Sequence, residues 1–285
     1  MNNYVIISET NTDLTKEMAK ELDIELISMR FNIDEKDYQN EEMPINEFYS
    51  LLKEGKHITT SQVNSAEFVE IFEEKLKEGK DILYVAFSSG LSGTYQASTI
   101  AKAELEEKYP DRKIFVFDSK CASMGEGLLV YYIANLRKNG VDIDTAYTWL
   151  ENNHLKLCHW FTVNDLFHLK RGGRVSGAAA LVGTVLGIKP VLHVDDEGKL
   201  IPVDKVRGRK QSLDALVKQY KETAINFDEQ IVFISHANDK EAADYVASEI
   251  KTVGCKKLII NFIGPVIGAH SGPGTIALFF MGTKR

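Results

Sequence analysis

Short apolar runs, polar clusters and helical patterns alternate through the first half of this chain. Tyr4-Val5-Ile6-Ile7 reads as a strand, the cluster at 8–13 as a turn, 14–22 as a helix and 24–30 as a second strand. An irregular stretch holding Tyr38, Glu41 and Glu42 precedes a helix over 45–54 and the polar run Thr59-Thr60-Ser61-Gln62. Asn64 and Glu67 stand three apart before an apolar-periodic segment, a capping-box signature that predicts a helix ending near Lys77. Strands follow at 82–87 and 114–117, separated by a helix over 94–109 that Pro110 stops; Asp118-Ser119 then leads to a helix ending at Gly140. Apolar strands separated by helices predict a parallel sheet with helices on both faces.

The pattern changes near residue 155, which divides the chain into an N-terminal α/β domain, 1–155, and a C-terminal α/β domain, 156–285. In the second half, 157–162 reads as a strand, 164–169 as a short helix and Lys170-Arg171-Gly172-Gly173-Arg174 as a basic turn. The stretch 177–186 is strongly apolar. A strand at 188–194, a turn at Asp195-Asp196-Glu197-Gly198 and a strand at 200–203 predict a hairpin. Helix 211–222, strand 230–235, helix 241–253, strand 257–263 and strand 275–281 complete a mixed sheet with helices. Glycine and proline crowd the segment 264–274 around His270 and predict an unusual backbone path there.

In open α/β sheets, ligands bind outside the carboxyl ends of the strands. That edge would gather Ser8, Thr60, Ser61, Ser88, Ser89, Ser92 and Ser119. The loop Ser88-Ser89-Gly90-Leu91-Ser92-Gly93-Thr94 carries hydroxyls and flexible backbone without a charged side chain, and it opens a helix. Free N–H groups and the positive end of the helix dipole can hold a carboxylate or phosphate there. Ser92 as a simple helix cap accounts for the same residues equally well, and for Ser8 the cap is the preferred reading. His270 fits either a structural role or donation to an anion.

With 285 residues, 44% hydrophobic and 26% charged, the chain has the composition of a globular protein large enough for two domains. A net charge of −7 argues against nucleic acid as the main partner. No apolar run approaches the ~20 residues of a membrane span and no apolar leader precedes the first strand, so a cytoplasmic protein without stable membrane insertion is expected. Cys121, Cys158 and Cys255 are odd in number and widely spaced, which predicts reduced thiols. No metal-ligand spacing occurs, and neither metal nor cofactor is expected. The P-loop pattern is absent, since the glycines at 177–183 lead to Thr184 without a Lys. Gly90-Leu91-Ser92-Gly93-Thr94 departs from the G-x-S-x-G elbow, although Ser92 and His270 keep the chain order of a serine hydrolase. A serine esterase acting on a lipid-like substrate is therefore the alternative reading.

Thr60-Ser61-Gln62, the run from Ser88 to Thr94, Asp118-Ser119, Leu169-Lys170-Arg171-Gly172-Gly173-Arg174, Ile188-Lys189-Pro190, Lys205-Val206-Arg207-Gly208 and Ile267-Gly268-Ala269-His270-Ser271-Gly272-Pro273-Gly274 together resemble the DegV family of bacterial lipid-binding proteins. The resemblance implies two α/β domains with a tunnel between them for one long-chain fatty acid. It further implies, as for the FakB members, a non-enzymatic binding subunit that presents the carboxylate to a separate ATP-binding fatty acid kinase in phospholipid metabolism. Carried onto this chain, Thr60, Ser61, Ser92 and His270 become carboxylate ligands, supported by Ser89, Gly90, Gly93, Ser119 and Gly268. Arg171, Arg174 and Arg207 become partner-docking residues, with Arg207 foremost; Arg209 and Lys210 fit a solvated face nearly as well. The chain departs from the family pattern at Ser8-Glu9, in place of an Asp-Ser pair, and at Val63, in place of a Pro. A buried methylene contributes ~0.8 kcal/mol, so about fifteen offer on the order of 12 kcal/mol before the costs of binding. The head-group site then need only satisfy a buried carboxylate by hydrogen bonds.

Overall fold

The computed structural model describes residues 3–164, 166–175 and 187–285. The first half supplies β1 (Tyr4–Glu9), α1 (Lys16–Glu21), β2 (Ile24–Ile27), β3 (Arg30–Ile33), β4 (Lys36–Gln39), α2 (Ile45–Lys53), β5 (Ile58–Ser61), α3 (Ser65–Lys77), β6 (Asp81–Ala86), α4 (Thr94–Lys108), β7 (Ile114–Asp118), α5 (Met124–Lys138) and α6 (Ile143–Asn153). The second supplies β8 (Leu157–Thr162), α7 (Phe167–Arg171), β9 (Ile188–Val194), β10 (Leu200–Arg207), α8 (Arg209–Thr223), β11 (Ile231–His236), α9 (Lys240–Val253), β12 (Lys257–Phe262), α10 (Pro265–Ser271) and β13 (Ile276–Met281). The apolar segment 177–186 lies outside the described residues.

The expected parallel sheet is present in the order β2-β1-β6-β7. Successive residues of a strand face opposite sides, and both sides are covered: Tyr4 and Ile6 of β1 pack with Leu128 and Leu150 of α5 and α6, while Val5 and Ile7 pack with Phe68 and Ala101 of α3 and α4. This two-sided burial explains the unbroken apolar runs. The second sheet is mixed, ordered β10-β9-β8-β13-β11-β12. Ile276, Leu278 and Phe280 of β13 face the cluster of α8 and α9, whereas Ala277 and Phe279 face the cluster that contains α5. Helix α5 is thus packed between the two sheets.

Three expectations change. The strand at 24–30 breaks into β2 and β3, because Met29 gives its N–H to Thr10 Oγ1 (3.0 Å) and its carbonyl to Asn40 N–H (2.8 Å) instead of to a ladder. The irregular stretch after it is the hairpin β3–β4, turned by Asp34 and Glu35 at φ 50° and 67°, a primed-turn geometry without the usual Asn-Gly or Asp-Gly signal. Thr60 and Ser61 accordingly lie on β5 of a separate antiparallel sheet, β4-β3-β5, and not on the parallel one. The segment 264–274 also contains regular structure: Pro265 opens α10 at its first turn, where the missing N–H costs nothing.

Candidate functional site

A cavity of about 420 Å³ lies between the carboxyl edge of the parallel sheet and the inner face of the mixed sheet. Its walls come from Asn11 after β1, Phe87, Leu91, Ser92 and Gly93 after β6, Ala122 and Ser123 after β7, His159 and Phe161 on β8, and Ala277 and Phe279 on β13. Strands β1 and β6 are neighbours whose connections leave in opposite directions, so this is the switch point of the sheet. The cavity volume falls within the ~300–1,000 Å³ of small-molecule sites.

Polar groups gather at the mouth. Thr60, Ser61, Ser92, Gly93 and His270 all line the cavity, and Ser61 and Gly93 are exposed to solvent. Thr60 Oγ1 and His270 Nε2 share a hydrogen bond of 2.7 Å. Burial, and next the charges of Arg174 and Arg171, pull the His270 pKa down to about 4, so its ring is neutral at pH 7. Two glycines let this cluster close: a Cβ on Gly93 would stand 2.2 Å from Gln62 Oε1, and one on Gly172 would stand 2.2 Å from His270 Nδ1.

Ser92 combines its two readings. Its Oγ accepts the N–H of Thr94, the first residue of α4, at 3.3 Å and shares a 2.8 Å bond with Thr94 Oγ1, while the residue at the formal N-cap is Gly93. The N-terminus of α4 therefore opens at the cavity. Ser92 and His270 share no hydrogen bond, and the charged neighbours of His270 are Arg171 and Arg174 rather than an orienting carboxylate. That geometry lacks the nucleophile–base–acid chain a serine esterase uses.

Other predicted residues fall elsewhere. Ser89 receives Lys120 Nζ (2.8 Å) and gives its N–H to Asp118 (3.1 Å), while Gly90 abuts the β9–β10 turn, where a Cβ would stand 2.8 Å from Glu197 O. Ser119 is buried and accepts Cys121 N–H (3.0 Å), and Gly268 lets α10 approach Tyr49. Ser8 does not cap a helix; its hydroxyl reaches Val85 O (2.8 Å) and Glu126 Oε1 (2.9 Å). Arg209 is not simply solvated, because it binds Gly274 O (2.6 Å) and Asp239 (2.7 Å).

Arg174 is the main relocation. It lines the cavity, half-buried, with Nε on Leu91 O (3.3 Å) and a second bond to Gly172 O. Burial lowers its pKa, yet a guanidinium remains charged at neutral pH. The anion cradle is thus not purely neutral: the loop 88–94 has no charge, but the turn after α7 inserts one beside it. Arg171 stacks over Phe167 at 5.3 Å from the ring centroid, and Arg207 is exposed.

Sequence reasoning missed three buried acids beneath the cavity. Glu9 is bonded by Tyr84 and, at 3.4 Å, by Asn11, and burial pushes its pKa up to about 7. Asp13 accepts Gly264 N–H (2.8 Å) and the Ser123 hydroxyl, and burial likewise raises it to about 7. Burial and then the nearby Glu9 hold Glu126 well above the carboxylate range. Geometry agrees: the Ser8 hydroxyl has one proton, so if it serves Val85 O, the contact with Glu126 needs a proton from the acid. Glu9 and Asp13 stood in a cluster read as a turn, and nothing local marks Glu126.

Fold and site together define an α/β protein whose parallel and mixed sheets enclose an apolar cavity with a hydroxyl-, imidazole- and guanidinium-lined mouth. The chain belongs to the DegV family, whose model, described as "Uncharacterised protein, DegV family", matches residues 3–283. It is 48% identical over 289 residues to a DegV domain-containing protein of Clostridium perfringens, covering 100% of this chain and 99% of that one. Among solved structures, a fatty-acid-binding DegV family protein from Streptococcus agalactiae is similar at 29% identity and TM-score 0.87, covering 100% of both chains. A DegV family protein from Thermus thermophilus, described for its fatty acid binding, shares 27% identity and TM-score 0.89 over 98% of this chain and 99% of its own. Among the described residues, no helix is long and apolar enough to cross a membrane.

Proposed function

We propose that this protein binds one long-chain fatty acid, with the hydrocarbon chain in the cavity and the carboxylate at Thr60, Ser61, Ser92 and His270. The observation that carries this reading is an apolar cavity whose polar groups concentrate at a solvent-exposed mouth. The S. agalactiae and T. thermophilus proteins, described as binding fatty acids, support the ligand class. Arg174 adds a charge that the hydroxyls alone would not supply, so the carboxylate is balanced without a metal.

The same polarity makes the protein a carrier that presents its carboxylate to a separate ATP-dependent kinase for acyl-phosphate formation. Strand register supports the placement of the docking residues. Thr275, beside α10, and Ile188, paired with Arg207, stand at the same end of the mixed sheet, whereas Phe279, Val194 and Leu200 stand at the other. Arg207 and Arg171 then meet the partner, while Arg174 faces the ligand. Lipid extracted from protein purified without detergent should contain a fatty acid by mass spectrometry, and Ser92→Ala or His270→Ala should weaken its retention about tenfold, the value of one hydrogen bond to a charged group. Protein that comes out empty and binds no fatty acid when offered one contradicts the reading. Loss of acyl-phosphate formation in Arg207→Glu, with fatty acid still bound, tests the docking role.

A further inference from the structure

We propose that the cavity carries a second polar subsite, built on Asn11 and Ser123, for a hydroxyl group borne partway along the ligand's hydrocarbon chain, so that hydroxylated long-chain fatty acids are preferred ligands. The inference rests on the fatty-acid reading above and narrows it. A cavity serving a plain acyl chain has no use for polar atoms away from the head group, yet Asn11 lines this one at 2% exposure, and its Oδ1 has no hydrogen-bond partner among the described residues. Its Nδ2 reaches only Glu9, at 3.4 Å. Burying an amide oxygen without a partner is costly, and native interiors rarely leave one so.

Ser123 also lines the cavity. It is held at φ 54° and ψ −145°, a region disfavoured for a residue with a Cβ, by Asp13 and by a 3.0 Å bond to Ser235 Oγ. Strain of this kind persists where the surroundings fix it, and such positions concentrate at ligand sites. Two bonds leave the Ser123 oxygen one lone pair for a further donor.

Register separates Ser123, through its bond to Ser235, from the end of the cavity beside α10 that carries His270. Ser235 pairs with Ala277, which lines the cavity two residues along β13 from Thr275, or ~7 Å at the rise of a strand. The other unpartnered polar side chain among the described residues of the cavity, the Ser271 hydroxyl, follows His270 in α10 and belongs to the head-group end. A ligand hydroxyl both donates and accepts, so it can pair with either end of the Asn11 amide and with Ser123 together. A ketone or a double bond cannot do both.

The test measures the affinities of lipid-free protein for stearate and for hydroxystearates with the hydroxyl at successive carbons. One isomer, or two adjacent ones, should bind about tenfold tighter than stearate, and Asn11→Leu should bring that ratio close to one. Hydroxystearates that all bind no tighter than stearate overturn the subsite, as does a preference that survives in Asn11→Leu. Should that variant fail to fold, the series on the unaltered protein decides alone. Failure to bind stearate and every hydroxystearate overturns the fatty-acid reading itself, and the subsite with it.

Discussion

Replacing Asp13 by Asn tests whether the acids under the cavity are neutral in the folded protein. Asp13 sits at φ 51° and ψ 20°, a left-handed conformation that Asn tolerates well. The amide oxygen can still accept Gly264 N–H, and its NH₂ can face Ser123, whose proton then turns to Ser235. The substitution therefore removes a titrating group while keeping its contacts. Burial raises the pKa of Asp13 from 3.8 to about 7 on folding. Below the lower value both states hold the proton, so the full stability is present there. Between the two values the unfolded chain releases its proton and the folded chain keeps it, so stability falls as pH rises, by about 1.4 kcal/mol per pH unit. From about pH 5 to about pH 7 the loss attributable to Asp13 is about 2 kcal/mol, because the slope flattens as the folded-state pKa is reached. Urea unfolding of lipid-free protein across this range should show a slope shallower by that amount in Asp13→Asn. Glu9 and the buried histidines, whose shifts do not depend on Asp13, contribute equally to both proteins and cancel in the difference, while Glu126, raised mainly by burial and Glu9 and only further by Asp13, changes little. Identical slopes would refute the argument, since Asp13 would then be ionised in the folded state.

Two further substitutions probe positioning and the scaffold. Gly172 has helical dihedrals, so Gly172→Ala is permitted by the backbone, but its Cβ must displace the His270 ring from Thr60. Fatty-acid retention should fall about tenfold while urea stability moves by no more than about 1 kcal/mol; unchanged retention would remove His270 from the carboxylate site. Asn64 accepts Glu67 N–H at 3.0 Å and gives its own N–H to the Glu67 carboxylate at 3.0 Å. Asn64→Ala should cost about 1 kcal/mol and lower the melting temperature by a few degrees in calorimetry, without changing the bound lipid.

Elements built by local rules were legible in the chain. The capping box at Asn64 predicts α3, and the apolar runs at 82–87 and 188–194 predict β6 and β9, because buried strands and capped helices write their period into neighbouring residues. Helix α6 was not anticipated; its cap, Asp142 on Thr145, lacks the Glu or Gln that would complete a box. The β3–β4 hairpin was missed because Asp34-Glu35 adopts positive φ without glycine. Since β3 and β4 went unread, so did the small sheet that carries Thr60 and Ser61 to the mouth.

By itself the sequence determined the α/β alternation that builds a parallel and a mixed sheet, the hydroxyl loop at the start of α4 and the list of hydroxyls and imidazole available to hold an anion. Tertiary structure alone decided which of them meet. Thr60 and His270 are 210 residues apart and bond at 2.7 Å, whereas Ser89 and Ser119, on equally suggestive loops, turn to Lys120 and Cys121 instead. It also decided that Arg174 enters the cavity and that Glu9, Asp13 and Glu126 lie beneath it in the dark of the core, with their pKa values raised. Caps and periodicity depend on bonds within about four residues, and these are readable along the chain. A cavity and the charge state of its walls depend on what the second sheet brings against the first, and desolvation exists only once that contact has formed.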